Sequence, residues 1–153
     1  WGNFDKMELF VDKSYAPSVQ SHRYMMLRAI QEFLRRGDKQ KAIDLTDKYF
    51  EAFPNMNFRY DYNAFYFIQS YITAGAPEKA KQHALILAQE TAEHLNFYAS
   101  LAPDELAAGF TSDQRLANNA KTSVEQLARE LGDQAFTDQI TQIFANSGQP
   151  VLN

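Results

Sequence analysis

The sequence contains no cysteine. That excludes disulfides, thiolate metal sites and a thiol nucleophile, while leaving the compartment open. Glycine and proline are sparse, six and five in 153 residues, and the glycines are scattered as turn residues. No glycine-rich loop able to cradle a phosphate is present. Positive charge is not in excess, since the net charge is −4 with both signs interspersed. A nucleic-acid partner needs a concentrated basic stripe, so none is expected. The basic doublet Arg35-Arg36 falls at an expected helix end, where cations complement the macrodipole. No run approaches the roughly eighteen apolar residues of a membrane span, and nothing has the pattern of a signal peptide. The first residue is Trp1 rather than Met, which suggests a piece of a longer protein.

Chemistry-bearing residues are equally thin. Of the three histidines, His83 and His94 fall on one helix face eleven positions apart. Three turns separate them by roughly 16 Å, too far to share a metal. The carboxylate pairs Asp44/Asp47 and Glu90/Glu93 read as solvated helix faces. Asp104-Glu105 follows a proline and reads as a capped turn. No serine has a nucleophile-elbow context. No catalytic group, metal or cofactor is therefore expected in this chain.

What the chain does have is helical periodicity. The length fits one domain with a real core. Residues 1–16 read as an extended N-terminal segment, 17–147 as an all-α domain of about six helices, and 148–153 as a frayed tail. Pro17 suits the first turn of a helix, and Met26, Ile30 and Phe33 recur at helical spacing until Gly37-Asp38. Ala42, Leu45, Tyr49 and Phe53 stripe a second helix up to Pro54. Ala64, Phe67, Ile68 and Tyr71 stripe a third that stops at Gly75. Pro77 opens a long fourth helix carrying Ala80, Ala84, Leu87, Thr91 and Leu95. Residues 101–111 read as a loop. Thr111 and Gln114 have capping-box spacing for a fifth helix, and Gly132-Asp133 separates it from a sixth with Phe136, Ile140 and Ile143 inward.

The chain also repeats itself. At an offset of 38, Tyr24, Ile30, Gln31, Gly37, Lys41 and Ala42 meet Tyr62, Ile68, Gln69, Gly75, Lys79 and Ala80. Leu27, Phe33, Leu34 and Tyr49 meet Phe65, Tyr71, Ile72 and Leu87. A shared offset in both identities and breaks predicts a duplicated helix–turn–helix. Residues 23–56 and 61–94 resemble the tetratricopeptide repeat: Met26, Ala29-Ile30, Phe33, Gly37, Ala42, Tyr49 and Pro54, then Ala64, Phe67-Ile68, Tyr71, Gly75, Ala80 and Leu87. The resemblance implies a short α–α superhelix with repeats at about 23–56 and 61–100. The third pair, 112–146, keeps only GDQAF and the apolar stripes, as a degenerate or capping repeat would.

The stretch FRYDYNAFYFIQSY, residues 58–71, holds seven aromatic rings in fourteen positions. Phe67, Tyr71 and Ala64 fall on the packing face and read as core. Tyr62, Phe65, Gln69 and Ile72 fall on another. The face corresponding to it in tetratricopeptide arrays lines the concave groove. The candidate partner-binding residues are therefore Tyr24, Leu27 and Gln31 from the first repeat and Tyr62, Phe65 and Gln69 from the second. That face either takes a peptide or is filled by the chain's own helices. Exposed Tyr and Phe beside Asp61, Asn63 and Gln69 would also suit stacking on sugar.

WGNFDKMELFVD, GDKQKAIDLTDKYFEAFP, RYDYNAFYFIQSYITAGAPEKA and LNFYASL occur in that order. Together they resemble the C-terminal region of large polytopic membrane proteins of anaerobic Gram-negative bacteria. The membrane part of that family is similar to protein O-mannosyltransferases and other lipid-sugar-dependent glycosyltransferases of GT-C type. The resemblance covers roughly residues 1–100. It implies a non-cytoplasmic, periplasmic domain after the last membrane helix, with the Trp1 segment as a tether against the first repeat. It implies no catalytic residue here. The partner would be a protein or peptide, or the parent's own membrane region. The functions in view are an interaction or acceptor-presenting domain, a purely structural domain that orients the membrane part, and a carbohydrate-binding module.

Overall fold

Gly37 and Gly75 close two helix ends in the same way. Both are left-handed, with φ of +80° and +88°, a conformation that costs glycine little. At the first, Gly37 N–H donates to Leu34 O at 3.0 Å and Asp38 N–H to Phe33 O at 2.9 Å. At the second, Gly75 N–H donates to Ile72 O at 3.0 Å and Ala76 N–H to Tyr71 O at 2.8 Å. Each is a Schellman turn, which satisfies the last carbonyls of one helix while reversing the chain into the next.

The computed structural model describes residues 4–148, so Trp1 of the expected tether and most of the expected frayed tail lie outside the described residues. The described residues form seven α-helices and no strand: α1 Ala16–Arg35, α2 Lys39–Ala52, α3 Tyr62–Ala74, α4 Pro77–Ser100, α5 Pro103–Gly109, α6 Thr111–Leu131 and α7 Gln134–Phe144. A 3-10 turn, Lys13–Tyr15, leads into α1. The fold is all-helical, as expected, but the helices number seven rather than six. The additional one is α5, where a loop was expected. Pro103 opens it, Asp104 and Glu105 sit in its first turn, and Glu105 Oε2 accepts the Ala102 N–H at 2.8 Å. That contact is half a capping box, since the Ala102 methyl cannot return the other bond.

The capping box expected at Thr111–Gln114 does not form. Phe110 keeps a helical conformation, Gln114 N–H bonds its carbonyl at 2.9 Å, and the Thr111 hydroxyl turns back to Leu106 O at 3.3 Å. Because α5 runs almost directly into α6, few N–H groups are left for a side chain to cap.

By compactness the chain forms two units. The first runs to Arg59 and adds Tyr66–Ala80; the second comprises Tyr60–Phe65 and the chain from Lys81.

In the first unit, Ile30, Ala42, Thr46, Tyr49, Phe53, Phe67, Ile68 and Tyr71 are almost wholly buried. Phe67 and Tyr71 are core residues, as their spacing predicts, and Tyr49 and Phe67 stack with parallel rings. Asp47, expected as a solvated carboxylate, is partly exposed but also engaged. It accepts the Tyr71 hydroxyl at 2.6 Å and Lys79 Nζ at 2.7 Å. Arg23 is buried with its guanidinium 5.6 Å from the Phe53 ring centroid, a cation–π contact. Asn57 binds the N-terminal segment. Its Oδ1 accepts Leu9 N–H at 2.6 Å, and its Nδ2 donates to Phe4 O at 2.6 Å and Met7 O at 2.9 Å. Phe4 meets Phe58 edge to face.

In the second unit the buried set is rich in alanine: Ala84, Ala88 and Ala92 on α4, and Ala117, Ala120 and Ala128 on α6, with Leu87, Val124, Phe136, Ile140 and Phe144. Small residues let helix backbones approach closely, and the larger side chains fill what remains. Glu90 is buried, not part of a solvated carboxylate pair. Gly132 supplies the left-handed bend before α7. Asp133 caps α7 by accepting Phe136 N–H at 3.1 Å and also accepts Lys81 Nζ at 2.7 Å.

Candidate functional site

A cleft of about 260 Å³ lies within the second unit, built from residues 60–63 at the entry to α3, from α4 and from the first half of α6. Local structure fixes each wall. Asp61 Oδ1 accepts Asn63 N–H at 2.9 Å, Asp61 Oδ2 accepts Asn63 Nδ2 at 3.2 Å, and Asp61 O accepts Ala64 N–H at 2.9 Å. This cap starts α3 and places the Asp61 carboxylate and the Tyr62 ring at the cleft. Tyr60 is buried beneath, its hydroxyl 2.9 Å from His83 Nδ1.

On α4, Thr91, His94 and Tyr98 share one face at i, i+3 and i+7, so all three line the same wall. Tyr98 is steadied by ring contacts to His94, Phe97 and Phe110. On α6, Asp113, Leu116, Ala117 and Ala120 follow the same rule. Asp113 lies in the first turn of α6, where a negative side chain complements the helix dipole. Burial, and then the Asp113 charge, push the Tyr98 phenol above its ordinary value. It stays a neutral ring with a hydrogen to donate.

The lining thus holds three tyrosine rings, one imidazole and two carboxylates, and no lysine or arginine among its described residues. It is suited to holding a ligand by stacking and charge. Among the described residues no three His, Asp or Glu side chains are grouped to hold a metal ion. None of the described helices is long and apolar enough to cross a membrane.

The six residues expected on the repeat face divide between the units. Tyr24, Leu27 and Gln31 lie on α1 in the first unit, together with Gln69 of α3. Tyr24 is 62% exposed, with Arg28 5.7 Å from its ring centroid. Leu27 is half-buried, and Gln31 and Gln69 are exposed. Tyr62 and Phe65 belong to the second unit, half-buried, with parallel rings 6.2 Å apart. Of the six, Tyr62 alone lines the cleft. Sequence reading missed Thr91, Tyr98, Asp113 and Leu116. The available signal was a polar and aromatic i, i+3, i+7 set at the far end of the long helix α4.

Comparison with protein-family models, with curated proteins and with solved structures returns no match.

Proposed function

We propose that this chain is a non-catalytic, tetratricopeptide-like interaction domain of a membrane glycosyltransferase-like protein. It stands on the non-cytoplasmic side, where it holds a partner or acceptor polypeptide. The observation that carries the reading is Tyr62. It belongs to the face that a repeat of this type uses for partners, and it lines the cleft with Asp61, His94, Tyr98 and Asp113. The matched Schellman turns at Gly37 and Gly75 support the repeat architecture. The 62% exposure of Tyr24 supports a face left accessible to a partner.

Titration of candidate acceptor peptides or partner domains against wild type and Tyr62→Ala/Phe65→Ala tests it. Loss of binding in the variant is expected; equal binding by both rejects the surface.

A carbohydrate-binding module is the second reading. It is favoured by Tyr62, Asp61 and Asn63 lining one cleft, since a ring face with carboxylate and amide partners suits a sugar. Chemical-shift changes on adding sugar head groups, and none with peptides, would select it.

A further inference from the structure

The cleft volume, about 260 Å³, lies just below the usual range for small-molecule sites and suits one side chain better than an extended ligand. Its charge is one-signed. Asp61 and Asp113 contribute two carboxylates, and no described lining residue is a lysine or arginine. An anionic ligand is therefore disfavoured. The rings add to this. Tyr62 and Tyr98 line the cleft, and tyrosine rings attract a cation, most strongly one partly withdrawn from water. The contacts of Tyr98 with Phe110 and His94 hold that wall in place. Leu116, Ala117 and Ala120 supply an apolar strip on α6, against which the methylenes of a long basic side chain can lie.

We propose that the cleft receives the ε-ammonium of a lysine side chain from a partner polypeptide, between the Tyr62 and Tyr98 rings and the Asp61 and Asp113 carboxylates. The inference rests on the interaction-domain reading and gives that reading its chemistry. Lysine suits this site better than arginine, because a compact ammonium fits a narrow cleft while the planar fork of arginine calls for a bidentate partner. Asp61 already accepts two bonds from Asn63, so it offers charge rather than a free fork.

The test uses the full chain and nuclear magnetic resonance, following the backbone amides of His94, Tyr98 and Asp113. The probe is a short peptide with one lysine, blocked at both ends. Its controls are the same peptide with that lysine acetylated and a free hexose. The lysine peptide is expected to shift these amides, and the effect is expected to weaken as salt rises. Asp113→Asn, at an exposed site that keeps the side-chain shape, is expected to weaken binding about three- to tenfold, as loss of one carboxylate partner would. Tyr98→Leu is expected to weaken it by a further factor of about two to five. Thermal unfolding of both variants separates lost binding from lost folding. An equal response to the acetylated peptide, or a response to the hexose alone, overturns charge recognition and leaves a binding cleft. Silence from every probe overturns this inference, while binding of whole partner domains away from the cleft would still uphold the interaction reading.

Discussion

Lys79 Nζ stands 5.9 Å from the centre of the Tyr71 ring. Thirty-eight residues earlier, Lys41 Nζ stands 5.8 Å from the Phe33 ring. The offset seen in the sequence therefore extends to side-chain geometry at the helix turns. The second copy adds Asp47, which accepts both the Tyr71 hydroxyl and Lys79. Removing the hydroxyl with Tyr71→Phe is expected to cost about 1 kcal/mol, and a double-mutant cycle with Lys79→Met should show coupling of about 0.5–1 kcal/mol. Lys79 and Asp47 are partly exposed, so the charge pair by itself contributes little. Urea unfolding of the four proteins checks both values, and strictly additive effects would contradict the coupling.

Replacement of Gly75 or Gly37 by alanine tests the turns. A methyl group at either position meets nothing within 4 Å, so the effect is confined to the left-handed backbone. Each change is expected to destabilise by about 1–2 kcal/mol. D-alanine, introduced by chemical synthesis, is expected to restore or raise stability, because it favours positive φ. Equal loss with L- and D-alanine would show that the turns do more than set backbone conformation.

Acid sensitivity follows from carboxyl groups held below their ordinary pKa, Glu32 and Asp133 among them. Glu32 accepts hydrogen bonds from Arg35 and Arg36, which hold its pKa at about 2 rather than 4.5. The Lys81 hydrogen bond, and then the Phe136 N–H, lower Asp133 as well. A carboxyl with a lowered folded pKa stabilises the fold above its unfolded pKa, and that contribution disappears as pH falls through the folded value. The melting temperature is therefore expected to drop through the window from about 4.5 to about 2 set by Glu32. Glu32→Gln should flatten part of that drop, more visibly at low salt because the group is exposed. An unchanged profile in the variant would exclude Glu32 as a contributor.

Asn57→Ala should free the N-terminal segment. One side chain accepts from Leu9 N–H and donates to the Phe4 and Met7 carbonyls, and the exposed Phe10 adds little burial. Hydrogen exchange at Leu9 is expected to accelerate at least about tenfold, with limited proteolysis before Asp12 and little change in global unfolding. Unaltered exchange at Leu9 would show that the Phe4–Phe58 contact alone retains the segment.

The helices were legible in the sequence where their signals are local. Gly37, Gly75 and Gly132 mark bends because positive φ is a property of one residue, and Ile30 and Ile68 mark cores because spacing selects a face. The seven-residue α5 was missed because it is too short to show a period, although Pro103, Asp104 and Glu105 are its start signals. The cleft was only half legible. Asp61, Tyr62 and Asn63 stand together in the chain, but His94 and Asp113 reach them only through folding. Burial of Glu90 and capture of Asp47 depend likewise on partners distant in sequence, which spacing of like charges cannot reveal.

At the third bend, the carbonyl of Ala128 holds the place that Phe33 and Tyr71 hold in the other two, four residues before the glycine. Here the Thr137 hydroxyl approaches it at 3.1 Å, while also lying 2.9 Å from Asp133 O. A latch made of main chain survives most codon changes, whereas one made from a hydroxyl can be erased by a single nucleotide. At the last bend Gly132 N–H still bonds Arg129 O at 3.2 Å, so the hydroxyl stands in for only one of the two closing contacts, and a single substitution at Thr137 can remove that one alone.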